Sequence, residues 1–152
     1  MVSCQSYRNP ALLAKMAAGV DRMSGGRLEF GVGAGWKELE YRAYGYEFPE
    51  PAVRVDELVD TLEICTRMWT QDRATYSGKR YRIADALCSP KPLQAPLPIW
   101  IGGTKPRIMR TAARYGSWVN FNLAGGGLTP GRKRGWEGRG GGPGGGQSTE
   151  QQ

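Results

Sequence analysis

The residues best suited to chemistry lie in Trp100-Ile-Gly-Gly-Thr104, where an apolar run gives way to two glycines and a hydroxyl just before Lys105-Pro106. Main chain without side chains at Gly102 and Gly103, the Thr104 hydroxyl and the exposed amides of a following helix make a cradle for a phosphate or another anion. Lys105 and Arg107 add charge nearby. The same residues also suit a simpler role, with Thr104 capping the helix and the glycines making the turn. A second glycine run, Gly31-Val-Gly-Ala-Gly-Trp36, leaves backbone at Gly33 and Gly35 able to approach a ligand, with Trp36 as a large aromatic beside it. It is not a dinucleotide fingerprint: counted from Gly31 the third glycine falls on Trp36, and counted from Gly33 it falls on Glu38.

The chain has no histidine. That removes Ser-His-Asp and Cys-His nucleophile pairs and imidazole-bound metals, so chemistry here falls to carboxylates, tyrosines, lysines or a bound cofactor. Cys4, Cys65 and Cys88 are too scattered for a CxxC motif or a zinc site, and no metal is expected. Tyr7, Glu38, Glu40 and Asn120 are polar groups near strand ends, but no spacing among them assigns a catalytic residue.

The elements that position the glycine corners follow in order. Val2 to Gln5 reads as the end of a strand, and Asn9-Pro10 as a helix start with Asn9 as cap and Pro10 as first helical residue. Leu13, Met16, Ala17, Val20 and Met23 recur at helical spacing up to Gly25, and Leu28 to Gly33 reads as a buried parallel strand. Tyr41 to Pro51 is expected to be an ordered loop over the strand ends. Val55, Leu58, Leu62, Cys65 and Trp69 form one helical stripe, leaving Asp56, Glu57, Asp60, Glu63 and Arg67 as a solvated face. Thr75 to Ile83 reads as a hairpin, Cys88 to Pro98 as an extended proline-rich crossing, and Pro98 to Thr104 as a strand. A helix carrying Ile108, Met109, Ala112 and Ala113 follows, and then a strand over Trp118 to Phe121.

Residues 124–152 hold twelve of the 23 glycines and few aliphatic residues, and are expected to be a Gly-rich disordered tail after a domain over 1–123. An RNA-binding tail is the alternative reading of Arg132-Lys133-Arg134. The net charge of +7 is interleaved with acids rather than gathered into a stripe, so no nucleic-acid partner is expected. No apolar run reaches the roughly 20 residues that span a bilayer, so no membrane partner is expected and the cytoplasm is the expected location.

Tyr7-Arg-Asn-Pro-Ala-Leu-Leu-Ala-Lys-Met-Ala, Ser24-Gly-Gly-Arg-Leu-Glu-Phe-Gly-Val-Gly-Ala-Gly-Trp, Tyr44-Gly-Tyr-Glu-Phe-Pro, Tyr76-Ser-Gly-Lys-Arg-Tyr-Arg, Pro90-Lys-Pro-Leu-Gln and Pro98-Ile-Trp-Ile-Gly-Gly stand in one register. Together they resemble the bacterial luciferase-like monooxygenase family, most of all its deazaflavin-dependent oxidoreductase branch. The resemblance implies an α/β fold, part of a TIM (β/α)₈ barrel with parallel strands and a β-hairpin insertion. It also implies coenzyme F420 or reduced FMN as cofactor, a small-molecule substrate, and hydride transfer or monooxygenation. In that comparison Gly102, Gly103 and Thr104 match the corner that holds the cofactor phosphate, and Gly33, Gly35 and Trp36 match the loop flanking cofactor or substrate. Ala34 stands where luciferases proper carry a phosphate-binding arginine.

A whole barrel takes about 250 residues and eight strand-helix units, whereas about three and a half are readable here. The expectation is therefore about half a barrel, truncated at both ends, with two raw sheet edges that invite pairing with another chain, as in a homo-oligomer, or aggregation. The competing reading is a catalytically inactive partial barrel that serves only as an interaction module, or an unstable gene fragment.

Overall fold

The computed structural model describes residues 2–120; the expected tail over 124–152 and the strand end at Phe121 lie outside the described residues. Four short strands, β1 (Ser3–Cys4), β2 (Phe30–Gly33), β5 (Ile99–Gly102) and β6 (Trp118–Asn120), form one sheet in the order β1-β2-β5-β6. Every neighbouring pair is parallel. Parallel neighbours need crossovers, which α1 (Pro10–Met23), α3 (Pro51–Thr70) and α4 (Pro106–Tyr115) supply. A separate antiparallel hairpin, β3 (Ala74–Ser77) and β4 (Arg82–Ala86), follows α3.

α1 starts as its sequence predicts, with the Asn9 side chain accepting from the amides of Ala11 at 2.9 Å and Leu12 at 3.2 Å, and Pro10 in the first turn. It ends where Gly26 N donates to Asp21 O and Gly25 N to Arg22 O. The buried stripe of α1 is not the predicted one. Leu13, Ala14, Ala17, Ala18 and Asp21 face inward, while Met16, Val20 and Met23 are exposed. Three small alanines let α1 lie close to α3, near enough for the Trp69 indole to donate to Ala14 O at 2.9 Å.

On α3 the predicted apolar stripe is buried in full, and Trp69 meets Phe30 of β2 edge-on with ring centres 5.2 Å apart. The expected solvated face is corrected, since Asp60 is buried and accepts from the amides of Arg80 (2.6 Å) and Tyr81 (2.9 Å) and from the Tyr76 hydroxyl (2.9 Å). Asp60 thus anchors the hairpin turn on α3. A neighbouring acid, Glu63, accepts from the Tyr115 hydroxyl at 2.6 Å and ties α3 to α4.

Phe30, Val32, Ile99 and Ile101 are buried in the same core as the helices, so by strand alternation Gly31, Trp100 and Trp118 lie on the opposite face. β2 starts at Phe30 rather than Leu28, because the backbone at Leu28 is engaged sideways by Asp21 and Gln94. The expected loop from Tyr41 also opens earlier as a short helix, α2 (Glu38–Ala43), with Tyr41 fully buried in it. Among the described residues no helix is long and apolar enough to cross a membrane.

Candidate functional site

Parallel pairing brings Cys4, Gly33, Gly102 and Asn120 into one register row at the carboxyl ends of the four strands. In parallel α/β folds this edge is where ligands bind. Gly33 and Gly102 sit side by side beneath Val2: a Cβ on Gly102 would stand 2.5 Å from Val2 Cγ2, and one on Gly33 3.3 Å from the same atom. The absence of side chains there admits the amino-terminal segment across the strand ends.

Gly103 follows at φ 139° with its amide donating to Asn120 O at 3.1 Å, so this amide is already paired. Thr104 does not cap α4. The N-cap position belongs to Lys105, no side chain caps the helix, and Thr104 is exposed with no hydroxyl hydrogen bond among the described residues. The first bond of the helix is Met109 N to Lys105 O, which leaves the amides of Arg107 and Ile108 without intrahelical partners. Arg107 turns away from this corner to Ala52 O (3.1 Å) and the Asp56 carboxylate, which also meets Lys79 at 3.3 Å. Partial burial pushes the Asp56 carboxyl up, but hydrogen bonds from Arg107 and Lys79 outweigh it and hold it below the usual range. These residues line a recess of about 490 Å³ between α3, the hairpin and α4.

The second predicted loop rests on a polar cluster that the sequence did not nominate. Gly35 has φ 75°, a conformation costly for any residue with a Cβ, and that Cβ would overlap the Tyr41 hydroxyl and lie 2.7 Å from Cys4 Sγ. Tyr41 Oη contacts Cys4 Sγ at 3.0 Å and donates to Ser6 Oγ at 2.9 Å; burial pushes its hydroxyl pKa well up, so it stays protonated. Arg54, buried on the apolar side of α3, donates to Gly35 O at 2.9 Å and stacks on Phe48 at 3.9 Å. Its legible signal was its spacing, one turn before Leu58 on the buried stripe. Gln5 is buried and bridges Ser6 (2.7 Å) and Glu57 (2.9 Å). Trp36, by contrast, is largely exposed at 74%.

Trp100 stacks on Trp118, with ring centres 5.6 Å apart and planes 23° from parallel, on the sheet face opposite the helices. Its indole N–H is buried without an acceptor among the described residues. An exposed Thr104 hydroxyl and helix amides without intrahelical partners at the β5–α4 corner suit a polar, anionic ligand group.

A family model described as luciferase-like monooxygenase matches residues 1–129. The chain is 36% identical over 115 residues to the FMNH(2)-dependent dimethylsulfone monooxygenase of Pseudomonas putida, covering 75% of this chain and 32% of that protein. It is 32% identical over 108 residues to the F420-dependent glucose-6-phosphate dehydrogenase of Amycolatopsis mediterranei, covering 71% and 32%. Among solved structures, an F420-dependent secondary alcohol dehydrogenase in complex with an F420-acetone adduct superposes with a TM-score of 0.70 at 28% identity, over 79% of this chain and 36% of that one. The coenzyme F420-dependent tetrahydromethanopterin reductase of Methanopyrus kandleri shares the fold, with a TM-score of 0.71 at 21% identity over 80% and 38%. The chain thus spans about a third of the length of these relatives, and its four parallel strands are part of a (β/α)₈ barrel. On the family match and the shared barrel architecture together, the chain belongs to the luciferase-like monooxygenase family.

Proposed function

We propose that the chain forms part of the coenzyme mouth of a flavin- or deazaflavin-dependent oxidoreductase acting on a small organic substrate, by hydride transfer or monooxygenation. The observation that carries this is the β5–α4 corner, where the exposed Thr104 hydroxyl and the unpaired amides at the start of α4 meet at the end of a parallel strand. The relatives' own dependence on FMNH(2) or F420 supports those coenzymes here.

In this reading Thr104 donates to an anionic oxygen of the coenzyme, and the amino-terminal end of α4 adds its amides and dipole. The Trp100 indole N–H offers a further donor on the same strand. Gly35, whose carbonyl accepts from Arg54, keeps the second loop in one conformation at the rim, with Trp36 beside it. The reduced coenzyme, when bound, supplies the electrons for the reaction, while the protein supplies position and electrostatics. Lysine charge at the corner comes from Lys105, because Arg107 is committed to α3.

Fluorescence titration of the purified chain with F420 and with reduced FMN tests this directly. Saturable binding of one of them, weakened by competing phosphate, supports the reading. The second reading is an inactive partial barrel that acts only as an interaction module, and Val2 lying across Gly33 and Gly102 favours it. It predicts binding of neither coenzyme.

A further inference from the structure

We propose that Arg107 and Asp56 are positioning residues for the β5–α4 corner: they fasten the first turn of α4 to α3 from the side, which leaves the amides of that turn to the coenzyme. The inference rests on the coenzyme reading above. α4 starts without a side-chain cap, and helix ends fray unless something holds them. A capping side chain would also occupy an amide that an anion needs. The turn is held instead by Arg107, whose guanidinium donates from Nη1 to Ala52 O at 3.1 Å and from Nη2 to the Asp56 carboxylate. Side chains leave a helix sideways, whereas its amides point along the axis towards the amino-terminal end. The clamp therefore takes none of the donors of Arg107 and Ile108, which have no intrahelical partners.

Asp56 suits the part of an anchor. Its side chain is only 15% exposed, and Lys79 of the hairpin turn reaches the same carboxylate oxygen at 3.3 Å. Ala52 and Asp56 lie on the first two turns of α3, and between them Arg54 donates to Gly35 O at 2.9 Å. One stretch of α3 thus grips both glycine corners, the Gly35 loop through Arg54 and the start of α4 through Arg107. The far end of α4 is tied separately, by Tyr115 at 2.6 Å and Arg114 at 3.3 Å to Glu63, and Ile108 and Ala112 are buried between the two ties. Loss of the Arg107 contact therefore loosens the corner and leaves the rest of the helix in place.

The test uses the full chain in two measurements, the first without coenzyme. The Met109 amide makes the first hydrogen bond of α4, to Lys105 O at 3.0 Å, so its hydrogen exchange, followed by NMR, reports fraying of that turn. Asp56→Asn and Arg107→Met are each expected to speed it about tenfold, as for one hydrogen bond to a charged group, with an unchanged circular dichroism spectrum. Lys79→Met, which leaves Arg107 on Asp56, is expected to leave it unchanged. In the second measurement the dissociation constant for reduced FMN is expected to rise several-fold in Asp56→Asn and in Arg107→Met, with no further rise in the double variant and none for reduced riboflavin, which lacks the phosphate. Unchanged Met109 exchange in Asp56→Asn overturns the proposal whether or not a coenzyme binds. Tighter FMN binding by Asp56→Asn also overturns it, because the freed Arg107 would then be a ligand to the coenzyme and not a restraint. Binding of neither coenzyme by the wild-type chain overturns the coenzyme reading, and the role at the corner with it, while the Met109 result still decides whether the clamp holds the turn.

Discussion

Gly35→Ala offers the sharpest check on how the mouth is built. Two costs add. An alanine at φ 75° pays about 1–2 kcal/mol for the left-handed conformation. Its methyl would also overlap the hydroxyl of Tyr41 and lie 2.7 Å from Cys4 Sγ, and Tyr41 is fully buried, so it has nowhere to retreat. Overpacking of this kind costs about 1–3 kcal/mol. The sum is about 3 kcal/mol, read as a lower urea midpoint at unchanged slope. Adding Tyr41→Phe removes the obstructing oxygen, so the double variant should lose about 1 kcal/mol less than the two single losses combined. A loss below about 0.5 kcal/mol for Gly35→Ala, or strict additivity with Tyr41→Phe, refutes the reasoning.

Other consequences follow from the buried carboxylates. Asp60→Ala strands the amides of Arg80 and Tyr81 and the Tyr76 hydroxyl, and should cost about 3 kcal/mol by urea denaturation, with faster hydrogen exchange at the Tyr81 amide. A loss under about 1 kcal/mol would show that the turn does not depend on Asp60. At Asp21 burial pushes the carboxyl up, but hydrogen bonds from Gln94, Leu93 and Leu28 outweigh it and hold it below the ordinary 3.8. Its stabilisation is therefore complete above that value and is lost as the pH falls through the lower folded one. Asp21→Asn should flatten this acid limb of the stability curve, whereas an unchanged slope would contradict the assignment.

Local signals were legible where one element sufficed to produce them. Asn9-Pro10 marked the start of α1 because cap and proline act within one turn, and the stripe from Val55 to Trp69 marked α3 because all five residues point one way. Parallel strands at Phe30 and Ile99 were readable as short apolar runs, and the family resemblance fixed their assembly. What escaped reading was set by distant partners. Met16, Val20 and Met23 fit a helical stripe as well as Ala14 and Ala18 do, and only packing on α3 decides between them. Asp60 matched a solvated face by spacing, yet its partners lie about twenty residues on, in a turn whose position α3 alone does not specify. The cluster of Cys4, Ser6, Tyr41 and Arg54 under Gly35 joins four segments, and no one segment announces it. Thr104 had the residue type of a cap, but the N-cap position falls one residue later on Lys105, which leaves the hydroxyl for another partner.

The claim that the end of β5 grips an anionic coenzyme group is tested most directly by pairing a change in the protein with a change in the ligand. Dissociation constants are measured for reduced FMN and reduced riboflavin, which lacks the phosphate, with the wild-type chain and with Thr104→Val. A hydroxyl donating to a charged oxygen contributes about 1.5 kcal/mol, so the variant should bind FMN about tenfold more weakly and riboflavin as before. Equal losses for both ligands, or no preference of the wild-type chain for FMN over riboflavin, would contradict the account.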